Sequence, residues 1–434
     1  MRIRRTNCWV QMLVCVCFVL FSARVNANEL PPLDLQEAYK PILIEAGDLP
    51  ANGMAIERLS LAAIIDDVVE PIPFQIDEYN EGGAVYFKDW DVPLSGSPEV
   101  FDGLDKLLFI YKDAGPRRRD YHVFDGDIVA EIELEGISGI KRYVYLLQVS
   151  KLRSDEYYVR YSSDLARVET DFYTLTYQPE NHLNWRDFAF KNYLDKNPLD
   201  SMKLRLNAGL MTSLSPIELS NDDMVATPSG ERVGPIRTVT QLSVTVWITN
   251  LPVLKLSSQL HHYPKSMHYD VRVVIPSLRR KLLVDPSLTM TIDANNLMAA
   301  SVRTALGPRE SGIVDGEINQ TELQMLDAGV TGNKNWIWVS TKRNLDILAY
   351  FNYVGDTDEP LSLFYHDDAT SIDPPERYPG QLPNLGYTVE SFPDSGFFGY
   401  VISILFSDGF EGNPMHFAEA ARRSPAIRIY HEAR

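Results

Sequence analysis

The sequence predicts an all-β protein with minor helix, because three patterns recur along it. Apolar residues alternate with polar ones over many segments, as at Leu242, Val244 and Val246. Such alternation places one face of a strand on a core and the other face in water. Turn dipeptides such as Asp125-Gly126 separate these segments, and helical periodicity is rare. Many short strands between frequent turns are typical of sandwiches and barrels.

The same alternation identifies strands in both halves of the chain. Further rows begin at Ile128, Tyr143, Met202 and Tyr269. The best helical pattern runs from Pro414 to Arg423, where a proline stands near the start and apolar residues share one side. A short helix over Leu297 to Ala305 is also compatible with the sequence. The expected helical content is therefore small.

Residues 1–27 are predicted to be a cleavable signal peptide. Arginines at positions 2, 4 and 5 precede an apolar run from Cys8 to Phe21, and the small-residue site Val25-Asn26-Ala27 follows. The alternative is a membrane anchor, but the run is shorter than the roughly 20 residues that span a bilayer. No later run approaches that length, so no transmembrane segment is expected after cleavage. The protein is expected to be periplasmic or secreted from a bacterium.

Cleavage changes what the composition implies. All three cysteines, Cys8, Cys15 and Cys17, lie in the signal segment, so disulfides and cysteine chemistry are excluded from the mature chain. The segment also contains four of the 41 basic residues and no acidic residue, which leaves 37 basic against 59 acidic residues. This acidic balance argues against nucleic acid as a partner, because nucleic acid requires a cationic surface.

Composition and pattern suggest two units after the signal peptide. Residues 28–165 hold a compact series of strands and are expected to form an N-terminal β-sandwich. Residues 166–434 have longer strands and could form one larger two-sheet β-domain. A polar interval near residues 307–332 is expected to be an exposed insertion.

Three segments resemble a known group of proteins. These are "EPIPFQIDEYN" (70–80), "FDGLDKLLFIYKDAG" (101–115) and "LPNLGYTVESFPDSGFFGYVISILF" (382–406). They resemble a set of exported, largely uncharacterised bacterial β-sandwich proteins, and the first is similar to an early strand of rhamnogalacturonan-lyase-like polysaccharide-active proteins. The resemblance implies an N-terminal β-sandwich packed against a larger, super-sandwich-like domain, and a carbohydrate ligand. No catalytic motif of such lyases matches, so no catalytic residue is carried over.

The candidate catalytic residues lie in the stretch "HHYPKSMHYD". A polysaccharide lyase needs a base beside a cation that neutralises a carboxylate, and His or Tyr with Arg would serve. The candidates are His261, His262, His268, Tyr269 and Arg272. His261 and His262 point to opposite faces of a strand, so at most one can join His268. The alternative is that these residues are ordinary sheet-face side chains around a hairpin.

Two further groups could bind ligands. Trp336 and Trp338 share one face of a strand, and exposed rings would stack on sugars, whereas buried rings would fill a core. His366, Asp367 and Asp368 follow a strand, where they could bind a metal ion or simply terminate the strand.

Clustered acids raise the possibility of a divalent cation such as calcium as a cofactor. Five acids in the first half of the chain could converge on one cation or could cap turns: Asp77, Glu78, Asp102, Asp105 and Asp113. The segment "DGEINQTEL" (315–323) matches only the second half of an EF-hand loop, so a turn leading into a short helix is favoured there.

Two functional hypotheses remain, and enzymatic activity is left open. The first is an exported carbohydrate-directed protein that binds a polysaccharide and could cleave it by lyase chemistry. The second is a non-enzymatic periplasmic accessory or scaffold subunit, with another envelope protein as its partner. The absence of a complete catalytic motif in the sequence favours the second, and the aromatic content favours the first.

Overall fold

The alternating segments form antiparallel β-sheets in the computed structural model. It describes residues 30–31, 33, 35–248, 251–275, 277–394 and 396–431. The predicted signal peptide and its three cysteines lie outside these residues. The prediction of an all-β fold is confirmed, since strands numbered β1 to β28 along the chain dominate the four short helices.

Three small sheets are built from the first part of the chain, and β28 near its end adds one strand to them. Two of them face each other across a core that includes Leu61, Phe109 and Leu146. The three-stranded sheet has the order β1-β7-β5, and a two-stranded sheet pairs β2 with β6. The five-stranded sheet has the order β28-β8-β9-β3-β4. The strands are β1 (Pro41–Glu45), β2 (Met54–Ala55), β3 (Leu59–Ile65), β4 (Val68–Pro71), β5 (Phe74–Asp77), β6 (Val100–Phe101), β7 (Lys106–Ile110), β8 (Asp127–Glu135), β9 (Lys141–Gln148) and β28 (Ala426–Tyr430).

A four-stranded sheet and a five-stranded sheet cover one side of the main core. The first has the order β10-β11-β12-β13, and the second has the order β15-β14-β20-β26-β25. Their strands are β10 (Val159–Ser162), β11 (Arg167–Thr170), β12 (Tyr173–Gln178), β13 (Asn181–Phe190), β14 (Leu199–Leu210), β15 (Pro216–Leu219), β20 (Leu283–Ala294), β25 (Leu361–Asp368) and β26 (Gln381–Val389).

A nine-stranded sheet forms the other side of the main core. Its order is β16-β17-β18-β19-β27-β24-β23-β21-β22. The strands are β16 (Met224–Val233), β17 (Thr238–Ile248), β18 (Leu251–Tyr263), β19 (Ser266–Ile275), β21 (Ser301–Thr304), β22 (Gly312–Ile313), β23 (Ile337–Ser340), β24 (Asp346–Tyr353) and β27 (Gly396–Ser407). The predicted inward row on β17 is confirmed, since Leu242, Val244 and Val246 are buried.

Helices are few and short, as the sequence predicts. They are α1 (Leu35–Ala38), α2 (Ser277–Arg280), α3 (Gln320–Ala328) and α4 (Pro414–Arg422). The prediction of α4 is confirmed, and the Asn413 side chain caps it by accepting a hydrogen bond from the Met415 amide. Among the described residues, no helix has the length and apolar character needed to cross a bilayer.

The helix considered over Leu297 to Ala305 is wrong. That segment holds a turn and then β21, and Asn296 and Ala299 have φ values of 54° and 66°. Two left-handed residues so close together interrupt a right-handed helix. The polar interval 307–332 contains the Asp315-Gly316 turn and α3, which begins with a capping box between Asn319 and Glu322.

The domain boundary predicted at residue 165 stays a prediction. It falls between β10 and β11, which pair with each other as a hairpin. Strand β28 pairs with β8, so residues 426–430 lie in the same sheet as strands from the first part of the chain.

Candidate functional site

The predicted catalytic residues divide between the two faces of the β18–β19 hairpin. The register pairs His261 directly with His268, and Arg272 lies on that same outer face. His262 and Tyr269 point to the opposite face, into the core between the sheets. The expectation that only one of the two adjacent histidines joins His268 agrees with this register. The five candidates therefore do not form one site.

The outer face of the hairpin carries a buried polar network centred on Arg237. Its guanidinium donates to the Asp77 carboxylate (Nε to Oδ2, 2.8 Å), to the Tyr79 hydroxyl (2.9 Å) and to the Tyr263 hydroxyl (2.6 Å). His261 Nδ1 lies 3.0 Å from Arg237 Nη1. Burial and the Arg237 charge lower the pKa of His261, so the neutral imidazole accepts this hydrogen bond.

The remaining outer-face candidates are also held by neighbours. His268 lies between the Ser266 and Ser403 hydroxyls, at 3.0 and 2.7 Å. Arg272 forms a bidentate pair with Asp270 and donates to the carbonyl of Gly82. Sequence analysis missed Arg237 entirely, although its partners Asp77 and Tyr79 lie in the segment 70–80 that carried the resemblance.

The inner-face candidates belong to the core. His262 is fully buried between the Tyr173 and Tyr177 hydroxyls, at 2.9 and 3.0 Å. The Tyr269 hydroxyl accepts a hydrogen bond from the Trp185 indole at 3.2 Å. Burial lowers the pKa of His262 to about 3. His262 and Tyr269 hold the sheets together, and Tyr269 also lines a cavity between them.

Replacing His262 by glutamine is expected to destabilise the protein most at neutral pH. The folded-state pKa of His262 is depressed below its ordinary value of 6.5. Its contribution is therefore present above pH 6.5 and is lost as pH falls toward 3, because only the unfolded chain takes up the proton. The difference in unfolding free energy between wild type and His262→Gln should shrink by up to about 1.4 kcal/mol per pH unit from pH 6 to 4.

Urea unfolding followed by circular dichroism at pH 7.5 and pH 4.5 measures this difference. The exposed His416 provides the control, and His416→Gln should change stability by about 0.5 kcal/mol or less at both pH values. A His262→Gln penalty that stays constant with pH would contradict the neutral, buried state of this imidazole.

The five acids considered for calcium have separate partners. Asp77 binds Arg237, and Asp113 accepts a hydrogen bond from the Tyr158 hydroxyl at 2.6 Å. Asp105 caps a turn by accepting a hydrogen bond from the amide of Asp102, and it also accepts one from the distant amide of Tyr79. Within the described part of the chain, no group of three or more His, Cys, Asp or Glu residues is arranged to hold a metal ion.

The side chains of His366, Asp367 and Asp368 likewise have separate partners. His366 Nδ1 lies 2.9 Å from the Gln381 amide oxygen, and Asp368 accepts hydrogen bonds from Thr370. The buried Asp367 accepts from the amides of Asp315 and Gly316, so it fixes the turn before α3. These contacts fit the interpretation that the three residues terminate the strand better than the interpretation that they bind a metal ion.

Trp336 and Trp338 share a face of β23, as predicted, with Ile337 on the other face. Both rings are buried beneath α4, in a cluster with Leu348 and Phe417. They are 6% and 7% exposed, so neither offers an open ring face to a sugar. The edge of Trp336 nevertheless forms part of the wall of an open groove beside α4.

This groove, called here the α4 groove, encloses about 1190 Å³. Its apolar wall includes Trp336, and its polar residues carry both signs of charge. The lining residues are Glu37, Ile137, Ser138, Ala305, Asn333, Lys334, Trp336, Phe410, Met415, His416, Phe417, Glu419, Ala420, Arg422 and Arg423. Arg422 lies over the Tyr350 ring, 5.2 Å from its centroid, and donates to the Asn333 carbonyl.

A second buried ionic network, which sequence analysis missed, lies on the outer face of the five-stranded sheet with β14. Lys203 Nζ is 2.6 Å from the Asp293 carboxylate and 3.0 Å from Glu376 Oε1. Arg377 donates to the Asp200 carboxylate at 2.9 Å. Burial raises the pKa of Asp293 to about 7, and the Lys203 charge opposes that rise. The network fastens the loop at 373–377 to β14.

Comparisons with known proteins indicate a shared fold. No family model and no curated protein matches the chain. Among solved structures, it is similar to an alpha-mannosidase from Enterococcus faecalis V583, at 8% identity and a TM-score of 0.50, over 91% of this chain and 45% of that one. A glycosyl hydrolase family 38 protein from Enterococcus faecalis matches at 8% identity and a TM-score of 0.48, over 90% and 45%. The chain thus spans less than half the length of either, and the first match is a likeness of fold.

Proposed function

We propose that this chain is an exported carbohydrate-binding protein and that the α4 groove is its glycan site. The observation that carries the proposal is the composition of the groove, where partly exposed apolar side chains such as Phe410 and Met415 stand beside exposed polar side chains. Sugars require both kinds of contact, because their C–H faces pack on apolar surface while their hydroxyls need donors and acceptors.

The charges in the groove favour an acidic polysaccharide. Three cations, Lys334, Arg422 and Arg423, outnumber the two carboxylates, Glu37 and Glu419. This excess is opposite in sign to the chain as a whole, which has 59 acidic against 41 basic residues. A local cationic surface on an acidic protein attracts carboxylated ligands and fixes where they bind.

Lyase chemistry at the histidine hairpin is not part of the proposal. A general base must come within hydrogen-bond distance of the proton that it removes. His261 is 7% exposed and bound to Arg237, whereas His262 is enclosed by two tyrosines. The role proposed for this protein is to bind a glycan rather than to cleave it with these residues. The fold shared with a mannosidase is consistent with a carbohydrate ligand.

Binding of an acidic polysaccharide is expected to depend on the exposed charges of the groove. Isothermal titration calorimetry with a panel of pectic and other uronate-containing oligosaccharides should identify a ligand. The Lys334→Ala variant should bind it about tenfold more weakly, because the lost ammonium group removes roughly one charge-assisted hydrogen bond and part of the cationic surface of the groove.

The exposed pair Arg167 and Glu169 on β11 provides a matched control, since the same change of charge there lies outside the groove. The Arg167→Ala variant, which also removes one cation, should bind as wild type does. Equal weakening in both variants would contradict the assignment of the groove. A panel without any binder, together with a stoichiometric envelope protein in pull-downs, would favour the scaffold hypothesis instead.

Mass spectrometry of the exported protein tests the predicted start of the mature chain at Asn28.

A further inference from the structure

The five-stranded sheet with β14 and the nine-stranded sheet separate toward one end. Along β14, Met202 is buried, but Leu204 and Leu206 further along the same face are half-buried. On the opposing β19, Tyr269 is buried, whereas Val271 and Val273 are half-buried. The core is thus closed at one end and opens into a cleft at the other. This cleft, called here the interior cleft, has a volume of about 290 Å³.

This interior cleft is lined almost wholly by aliphatic and aromatic side chains of both sheets. Residues of β14 and β20 on one side, including Leu206 and Leu288, face residues of β17, β18 and β19 on the other, including Val246, Leu256 and Val273. Its volume is roughly twice that of the ~150 Å³ apolar cavity that admits benzene. A dry apolar space of this size suits a flexible hydrocarbon chain better than a sugar.

The mouth of the interior cleft has two further properties. Exposed aliphatic side chains line the cleft there, among them Val274, which is 69% exposed, and Leu282, which is 43% exposed. Among the described lining residues, Arg280 alone is charged. Its guanidinium is fixed at the mouth by hydrogen bonds to the carbonyls of Leu283 and Phe392. Lys281 follows it and is exposed.

We propose that the interior cleft binds a long-chain carboxylate, with the hydrocarbon chain between the sheets and the carboxylate near Arg280. The aliphatic walls supply the hydrophobic contribution, and the cation at the mouth complements the anionic head. The exposed aliphatic side chains around the mouth give the chain an apolar path from solvent or a membrane into the cleft. This site is separate from the α4 groove and does not depend on the glycan proposal.

Calorimetry with the wild-type protein tests the site directly, with dodecanoate as the probe and butyrate as its short-chain comparison. Dodecanoate should bind and butyrate should not. Across a series of acids, affinity should rise about fourfold per added methylene until the chain is longer than the cleft, as expected for burial of CH₂ groups. Dodecanol that binds as tightly as dodecanoate would overturn the assignment of a carboxylate.

Filling the cleft should abolish binding without unfolding the protein. Val273→Phe from one sheet and Leu288→Phe from the other should each weaken dodecanoate binding at least tenfold, with an unchanged circular dichroism spectrum. Val68→Phe, on an exposed position of β4, is the matched control and should bind as wild type does. Undiminished binding in folded Val273→Phe and Leu288→Phe would show adsorption at the mouth only and would overturn the proposal.

Discussion

Replacing Arg237 by methionine is expected to lower the free energy of unfolding by about 3–5 kcal/mol. Arg237 and Asp77 are each 2% exposed, and the guanidinium also satisfies the hydroxyls of Tyr79 and Tyr263. Methionine matches much of the volume of the side chain but leaves the Asp77 carboxylate buried without its cation. The penalty arises from that uncompensated charge and from two tyrosine hydroxyls that lose a donor.

Chemical denaturation of Arg237→Met, Asp77→Asn and the double variant measures this effect as a double-mutant cycle. Because the double variant removes both charges, it should be more stable than Arg237→Met alone. Arg167→Met removes an arginine from an exposed pair with Glu169 and should cost about 1 kcal/mol or less. A loss of that small size in Arg237→Met would contradict the importance of the buried network.

The Arg237 network also joins two of the sheets. Asp77 ends β5 of the three-stranded sheet, whereas Arg237 lies immediately before β17 of the nine-stranded sheet. A neighbouring contact extends this connection, since the Gln259 side chain exchanges hydrogen bonds with both backbone groups of Val85. Loss of Arg237 should therefore weaken the contact between these two sheets as well as the local structure.

Local patterns were sufficient to predict the strands but insufficient to predict the networks. The inward row of Leu242, Val244 and Val246 follows from side-chain alternation, which depends only on adjacent residues. The pair of Asp77 and Arg237 joins positions 160 residues apart in the sequence, and nothing local to either residue indicates the other. Sequence analysis could therefore assign Asp77 to a strand but had no means to identify its partner.

The tryptophans of β23 show that a local pattern predicts the face on which a side chain lies but not whether that face is exposed. Alternation correctly placed Trp336 and Trp338 on one face and Ile337 on the other. Whether that face is open depends on α4, which begins at Pro414 and covers both rings. The histidine hairpin behaves likewise, because Gly82 and Val85 contact its outer face, and Tyr173 and Tyr177 of the opposing sheet cover His262 on the other. Sequence reasoning identified the face that a residue occupies, whereas tertiary structure determined its exposure.

Replacing Lys203 by methionine is expected to give a loss of stability that grows with pH. Lys203 is 1% exposed and lies 2.6 Å from the fully buried Asp293. Burial already raises the folded-state pKa of Asp293 to about 7, above its ordinary value of 3.8. A carboxyl group whose pKa is raised on folding stabilises the folded state when it is protonated. Its contribution to the free energy of unfolding is complete below pH 3.8 and is lost as the pH rises through 7. Removing the cation raises this pKa further, so the penalty extends to higher pH.

Denaturant unfolding at pH 5 and pH 8 tests this sign, with an expected loss of about 3–5 kcal/mol at pH 8 and a smaller loss at pH 5. Lys106→Met, in a more exposed pair with Glu45, should cost about 1 kcal/mol or less at both pH values. Adding Asp293→Asn to Lys203→Met should recover stability at pH 8, because the amide cannot ionise. A Lys203→Met penalty that is larger at pH 5 than at pH 8 would mean that Asp293 is not the group left uncompensated. Recovery by Asp293→Asn would show that Lys203 stabilises β14 and β20 chiefly by neutralising Asp293, and that the loop at 373–377 contributes less.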